Sequence, residues 1–303
     1  MEVGLRENKF MSKEKKFHDP NIDRKSKIYD NAFKLIDNAI PLPAIIEVSN
    51  SGLCNRVCSF CPRSDPNYKH VNEFFSNDLH DKLCEELSKY DFSGIFAYCG
   101  FNEPLLKKDI YRDIKTVRKF LPNSKIEIVT NGDVLNHERL EKLFEAGLTT
   151  ILISVYDGAK QEKNFYTMCE DIKLDSSSYV IRNRYMTKEH DFGLTISNRS
   201  GNLEHSSYKI SSTREPLSQT CTYPSYMFFV DYNGDVLMCS HDWGKKMILG
   251  NIKDNTFVNI WTGKKSMLAR KRLNSANRCF APCNKCDVTG DVVGKKHALA
   301  WGK

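Results

Sequence analysis

AIIEVSNSGLCNRVCSFCPRS (44–64) joins an apolar run to three cysteines, Cys54, Cys58 and Cys61, in the spacing CxxxCxxC. The run is nearly continuous in apolar residues, as expected of a parallel strand covered on both faces. The pattern it opens continues downstream. Helix SNDLHDKLCEELSKY (76–90), strand GIFAYCG (94–100), helix KKDIYRDIKTVRKFL (107–121), strand KIEIVTNG (125–132), helix NHERLEKLFEAG (136–147) and strand TTILISVYDG (149–158) follow in turn. Ser76 and Asn136 are placed as N-caps and Gly147 as a C-terminal stop. Such alternation predicts a parallel sheet wound by helices. SYVIRNRYM (178–186) and FGLTISNR (192–199) then supply the last strands of a partial (β/α)6, TIM-like barrel.

Around this core the chain divides into three parts. Residues 1–40 are a polar, lysine-rich extension with a helix expected near KIYDNAFKLIDNAI (27–40), and residues 41–209 form the barrel. Residues 210–303 form a smaller domain, opened by YMFFVDYNGDVLMCS (226–240), where Asn233-Gly234 marks a hairpin. A two-residue turn there sets Cys239 opposite Phe228, with CTYPSY (221–226) returning Cys221 to the same end.

Composition narrows the function. The 303 residues are 40% hydrophobic, with no apolar run near the roughly 20 residues that a spanning helix needs. The opening residues lack a secretory signal's apolar core, so the expected compartment is the cytoplasm, where disulfides are disfavoured. Eleven cysteines therefore call for another use. The net charge of +7 is interspersed with acids except in pieces such as KKSMLARKR (264–272), which predicts a solvated face and no nucleic-acid partner. The eight histidines form no paired metal motif.

Three clustered sulfurs leave one corner of a metal site open, whereas closed zinc sites and protein-only 4Fe–4S clusters take four ligands. The triplet follows a strand directly, at the barrel end where ligands bind. Farther on, Cys221 and Cys239 converge, Cys283 and Cys286 supply another pair at metal-ligand spacing, and four thiolates can close either a zinc site or a 4Fe–4S cluster.

With Phe60 before its last cysteine, the triplet resembles the cluster loop of the radical S-adenosylmethionine (SAM) enzymes. CGFNEPL (99–105) is similar to that family's glycine-and-glutamate loop, its double glycine reduced to Gly100-Phe101, while TNG (130–132) and ISVYDG (153–158) resemble the following strand ends. The resemblance implies a 4Fe–4S cluster on Cys54, Cys58 and Cys61 whose open iron binds SAM, cleaved by one electron to a 5′-deoxyadenosyl radical. SAM contacts carry over to Phe60, Gly100, Asn102 and Glu103, and to Thr130, Asn131, Ser154 and Arg184. The segment 221–287 is similar to the C-terminal domain of the SPASM/twitch branch, in the arrangement of its cyclitol-oxidising dehydrogenases. This implies one auxiliary 4Fe–4S cluster on Cys221, Cys239, Cys283 and Cys286, with Cys279 either spare or a substitute ligand.

The function implied is oxidation of a small hydroxylated substrate, a sugar or cyclitol, with the auxiliary cluster accepting an electron and a flavodoxin or ferredoxin as reductant. Arg182 and Arg184, two apart on one strand, face one side, either holding an anionic group at the site or lying in solvent. Arg182, Cys99 and Cys169 are the candidate catalytic residues, the thiols because a radical carbohydrate epimerase would need a hydrogen donor. Cys84 reads as core. Tyr156 and Asp157 lie at a turn or against substrate, and SNRSGN (197–202) adds Asn198 and Arg199. A peptide maturase is disfavoured, since only about 40 residues precede the barrel where a leader-binding domain would lie. A zinc-binding module is the alternative outside enzymes.

Overall fold

The computed structural model describes residues 20–187, 193–194 and 196–302. Helix α1 (Pro20–Asn31) precedes a small hairpin of β1 (Leu35–Ile36) and β2 (Ile40–Pro41). The wound unit follows as β3 (Ile45–Val48), α2 (Asn77–Ser88), β4 (Ile95–Tyr98), α3 (Ile110–Phe120), β5 (Lys125–Thr130), α4 (His137–Glu145), β6 (Thr150–Val155), α5 (Ala159–Asp171) and β7 (Tyr179–Asn183). Then come α6 (Tyr223–Tyr226), β8 (Met227–Val230), β9 (Asp235–Leu237), β10 (Ile248–Asn251), α7 (Phe257–Trp261), α8 (Lys264–Asn274) and α9 (Lys295–Trp301). Ser76 and Asn136 cap α2 and α4 by accepting from the amides of Leu79 and Arg139. Gly147 ends α4 at φ +111°, a conformation glycine adopts without strain.

One eight-stranded sheet runs β10-β9-β8-β3-β4-β5-β6-β7, with the six strands from β8 to β7 parallel. The sixth parallel strand is therefore not FGLTISNR. Phe192 and Thr195 of that segment lie outside the described residues, and the rest form no strand. The place is taken at the opposite edge by β8, which pairs Ile45 with Met227 and Val48 with Val230. The expected boundary near residue 210 thus marks no break in the sheet.

The hairpin also differs in register. Phe229 pairs with Leu237, and Asp231 both donates to the Asp235 carbonyl (2.8 Å) and accepts from the Gly234 amide (2.9 Å). Gly234, at φ +87°, is the left-handed residue of a three-residue loop, so the register slips by one and Cys239 stands in line with Met227 instead of Phe228.

The N-terminal extension is more than a polar lead-in. Its helix ends at Asn31, short of the expected residue 40, and Asp37 and Asn38, both at positive φ, turn β1 back into β2. Helix α1 packs on the concave face of the sheet, where Tyr29 meets Ile45, Ile95 and Tyr226. Arg24 grips the fully buried Glu127 with two hydrogen bonds (2.7 and 3.1 Å). Arg24→Ala should strand that carboxylate and cost about 3 kcal/mol, seen as a lower urea midpoint. Arg24→Lys, which keeps the charge, should cost less.

Candidate active site

Because the parallel strands point the same way, their C-terminal ends converge on one rim, where βα-loops build sites. A cavity of 290 Å³ opens there, lined by Cys54, Cys58, Phe60, Cys61, Gly100, Asn102, Glu103, Thr130, Asn131, Ser154, Arg182, Arg184 and Arg199. The triplet and every sequence-derived SAM contact thus share one pocket. Tyr156 also lines it and stacks on Phe60, centroids 5.7 Å apart.

Each loop is tied to its neighbour. Glu103 is buried, and burial pushes its carboxyl up, while the Asn131 amide (2.7 Å), the Thr130 hydroxyl (2.6 Å) and the Leu105 amide (3.0 Å) donate to it and oppose that rise. A carboxylate offers about four acceptor positions, so one remains for an ammonium group. Gly100 sits at φ +106°, where a Cβ would lie 2.4 Å from Ser49 Oγ, so the glycine is required. The missing second glycine is accounted for as well: the Phe101 amide donates to Ser49 Oγ (2.9 Å), and its ring packs between Phe229 and Trp243 (4.9 and 4.4 Å).

Arg56, which lies within the triplet, carries no signal in the sequence. Its guanidinium donates to Asp133 and Asp157 together and lies over Tyr156 (5.1 Å), pinning the cysteine loop to the loops after β5 and β6. Asp157 is therefore an anchor of the cysteine loop. Trp243 was equally silent, yet it borders this cavity and a wider 1190 Å³ groove.

Arg182 and Arg184 both reach the cavity, although only Arg182 lies on a strand; it donates to Ser154 Oγ (2.6 Å), while Arg184 donates to the Gly193 carbonyl from the turn beyond β7. Cys99 belongs to the concave face with Ile95 and Ala97, and burial drives its thiol well up. Cys169 does not belong to the site. It is fully buried in the outer layer with Phe165 and Ile153, between α5 and the sheet, so it cannot return hydrogen to a substrate in the cavity. Cys84 packs in the same layer.

Burial, then Cys61 and Cys54, push the Cys58 thiol up to about 11. Thiols that raise one another suit a cationic centre that holds them as thiolates. Among the described residues, no three His, Cys, Asp or Glu side chains converge as ligands of one metal ion. A 4Fe–4S cube grips each thiolate at a separate iron and asks for wider spacing. Asn102 Oδ1 and Arg199 Nε, buried without hydrogen-bond partners, add an acceptor and a donor to the cavity wall for a polar guest.

A second sulfur group lies in the C-terminal segment. Burial raises Cys239, Cys221 and Cys283, and the charges felt after burial include those of the other cysteines in this group, Cys286 among them. Cys279 is exposed. The quartet is braced by Arg278, buried, whose guanidinium donates to the carbonyls of Gln219, Thr220, Val288 and Thr289 (2.6–2.9 Å). Gly290, at φ +78°, would put a Cβ 2.5 Å from Cys221 Sγ, leaving the sulfur no room for a side chain there. Asn198, fully buried, bonds Asp287, Lys285 and Ser211, so it fastens the 197–202 loop to the quartet and does not reach the cavity. Its neighbour Arg199 turns into the cavity, near enough that its charge opposes the rise that burial imposes on the Cys61 thiol and adds to the fall that burial imposes on His241.

A cysteine triplet lining the cavity at the strand ends, with a second group of cysteines buried in the C-terminal segment, defines the class, and comparison agrees: residues 50–175 match the radical SAM superfamily and residues 221–287 the SPASM iron–sulfur cluster-binding domain. The chain is a radical SAM protein with a SPASM domain, whose cofactors are SAM and 4Fe–4S clusters. It is 29% identical over 246 residues to the S-adenosyl-L-methionine-dependent 2-deoxy-scyllo-inosamine dehydrogenase of Niallia circulans, spanning 80% of this chain and 92% of that protein. Its fold is similar to BtrN in complex with AdoMet and 2-DOIA (TM-score 0.69, 27% identity, 84% of this chain and 97% of that one). It also resembles anSMEcpe with bound AdoMet in fold (TM-score 0.51, 14% identity, 85% and 92%). No helix among the described residues is long and apolar enough to cross a membrane.

Proposed function

We propose that the chain oxidises a secondary alcohol of a cyclitol or sugar to the ketone. The observation that carries this reading is Arg199, a half-buried cation whose Nε is buried without a partner, lying near Cys61 of the triplet and near His241, whose amide donates to Cys239 Sγ (3.4 Å). When bound, the triplet's cluster and SAM supply a hydrogen-abstracting radical, and the quartet's cluster supplies an acceptor for the remaining electron. Phe60, Asn102, Glu103, Thr130 and Asn131 hold SAM, with Ser154 and Arg184 completing its pocket. Arg199 donates to the substrate oxygen and stabilises it as the proton leaves, because a cation within hydrogen-bond reach favours the anionic form. Trp243, bordering both cavities, frames the way in from the wider groove. A flavodoxin or ferredoxin serves as reductant.

The proton acceptor in this reading is Glu47, which shares the concave face with Ile45 but does not itself line the cavity, so it takes the proton by way of a water. Burial raises its carboxyl, Lys25 and the Ser240 hydroxyl oppose the rise, and Ser240 adjoins Cys239 of the quartet. A raised carboxyl is suited to general-base work. Glu47→Gln should lower ketone formation by about 100-fold or more while 5′-deoxyadenosine still forms. The proposal itself is tested by anaerobic turnover, with SAM and reductant, against a panel of cyclitols, sugars and peptides. Loss of two hydrogens from a cyclitol or sugar, with no solvent deuterium on its carbon, supports it. A mass unchanged in ordinary water but raised by about one unit in deuterated water, with the label on carbon, would make the chain an epimerase, with Cys99 the thiol on the concave face.

A further inference from the structure

We propose that the outer face of α8 docks an acidic one-electron carrier protein, of the flavodoxin or ferredoxin kind, at the auxiliary end of the molecule. The proposal rests on the reading that Cys221, Cys239, Cys283 and Cys286 hold a cluster.

Helix α8, KKSMLARKRLN, contains five basic residues and no acidic one. Its inner residues Ala269 and Leu273 are fully buried against Cys221 and Cys283, and the Leu273 carbonyl accepts from the Cys221 amide (3.2 Å). Its outer residues Lys264, Lys265, Lys271 and Arg272 are exposed, with Met267 and Leu268 exposed among them. A carrier seated there would stand about one helix diameter, roughly 10–12 Å, from the cysteines.

At the N-terminus of the helix the placement of charge is not what helix stability asks for, although Lys271 and Arg272 suit its last turn. Lys264 and Lys265 occupy the first turn, the positive end of the helix dipole, which has no acidic residue and only Gly263 as cap. Residues that break a local rule are candidates for function. The surface is also preformed. Arg270, on the buried side, is held between Trp261 and Trp301 (3.9 and 3.8 Å) and donates to the Pro224 and Trp261 carbonyls, locking α8 against α9. A small apolar centre with a cationic rim fits the weak, salt-sensitive interfaces of electron-transfer partners. Proximity to the sulfurs favours such a carrier over a nucleic acid, which the cations alone would also attract.

The test titrates purified holoprotein with oxidised flavodoxin and ferredoxin at several salt concentrations, comparing the parent with K264E/K271E and with K265E/R272E. All four side chains are exposed, so folding and iron content should be unchanged. Affinity should fall about tenfold or more in each pair and depend less on salt. Carbodiimide cross-links from carrier carboxylates should map to Lys264, Lys265 or Lys271, and K115E/K119E on α3 should bind as the parent does. Unaltered carrier affinity in both pairs, or cross-links confined to Lys69, Lys245 and Lys246 beside Trp243, would overturn the proposal. So would charge reversal that abolishes duplex RNA binding and spares the carrier. Iron measured on the same samples separates the two readings: half the expected iron condemns the quartet, whereas full iron with undisturbed binding condemns the docking surface.

Discussion

Cys58→Ser is expected to halve the iron of the anaerobically reconstituted protein, from about eight atoms per chain to about four, and to abolish 5′-deoxyadenosine formation. Cys58 is one of three sulfurs on a loop that Arg56 fastens to Asp133 and Asp157. Loss of one thiolate leaves two, too few to retain a cube against solvent. The loop itself should stay in place, because its anchors lie outside the cysteines. Iron analysis, SAM cleavage and far-ultraviolet circular dichroism together check this outcome. Iron unchanged at about eight, or cleavage persisting at the parent rate, would show that the triplet is not the ligand set.

The second large effect lies at the other sulfur group. Cys239→Ala opens the quartet, so iron should again fall to about four per chain, but here SAM cleavage should survive because the triplet is untouched. The substrate would lose its electron acceptor. The ratio of 5′-deoxyadenosine to ketone should then rise by at least about tenfold, with the hydrogen returned to substrate or the reaction uncoupled. Ketone formed at the parent ratio would mean that the quartet is structural and that the electron leaves by another route.

These two outcomes differ because the two sulfur groups are built differently, and that difference was legible in the spacing. A triplet directly after a strand, and a distant pair joined by a hairpin, could be read without coordinates, as could the strand and helix alternation that places their loops on one rim. What could not be read was whatever depends on contacts far apart in sequence. The sixth parallel strand comes from Met227–Val230 because the hairpin returns to the free edge of β3, and no local pattern announces that choice. The one-residue slip at the hairpin follows from Gly234 taking the left-handed position of a longer loop, where the dipeptide signal alone suggested a two-residue turn. Cys169 looked eligible because a mixed helix does not reveal which face it buries, and the structure turns it away from the chamber.

The positioning residues follow the same logic. Arg56 and Arg278 are ordinary in sequence and become informative only when their partners arrive, two carboxylates from other loops for the first and four backbone carbonyls for the second. Asn198 was singled out with Arg199 from one short segment, yet adjacent side chains leave in different directions, one to brace the quartet and one to line the chamber. Glu47 lay inside the very strand that opened the sequence reading. Its burial beside Ser240 appears only once β3 and the C-terminal segment are brought together.

The measurement closest to the central claim is electron–nuclear double resonance on reduced protein carrying Cys239→Ala, incubated with SAM isotopically labelled at its amino nitrogen. If the triplet leaves an iron corner free, the remaining cluster signal should show coupling to the labelled nitrogen. A cluster signal that is identical with and without SAM would contradict the account.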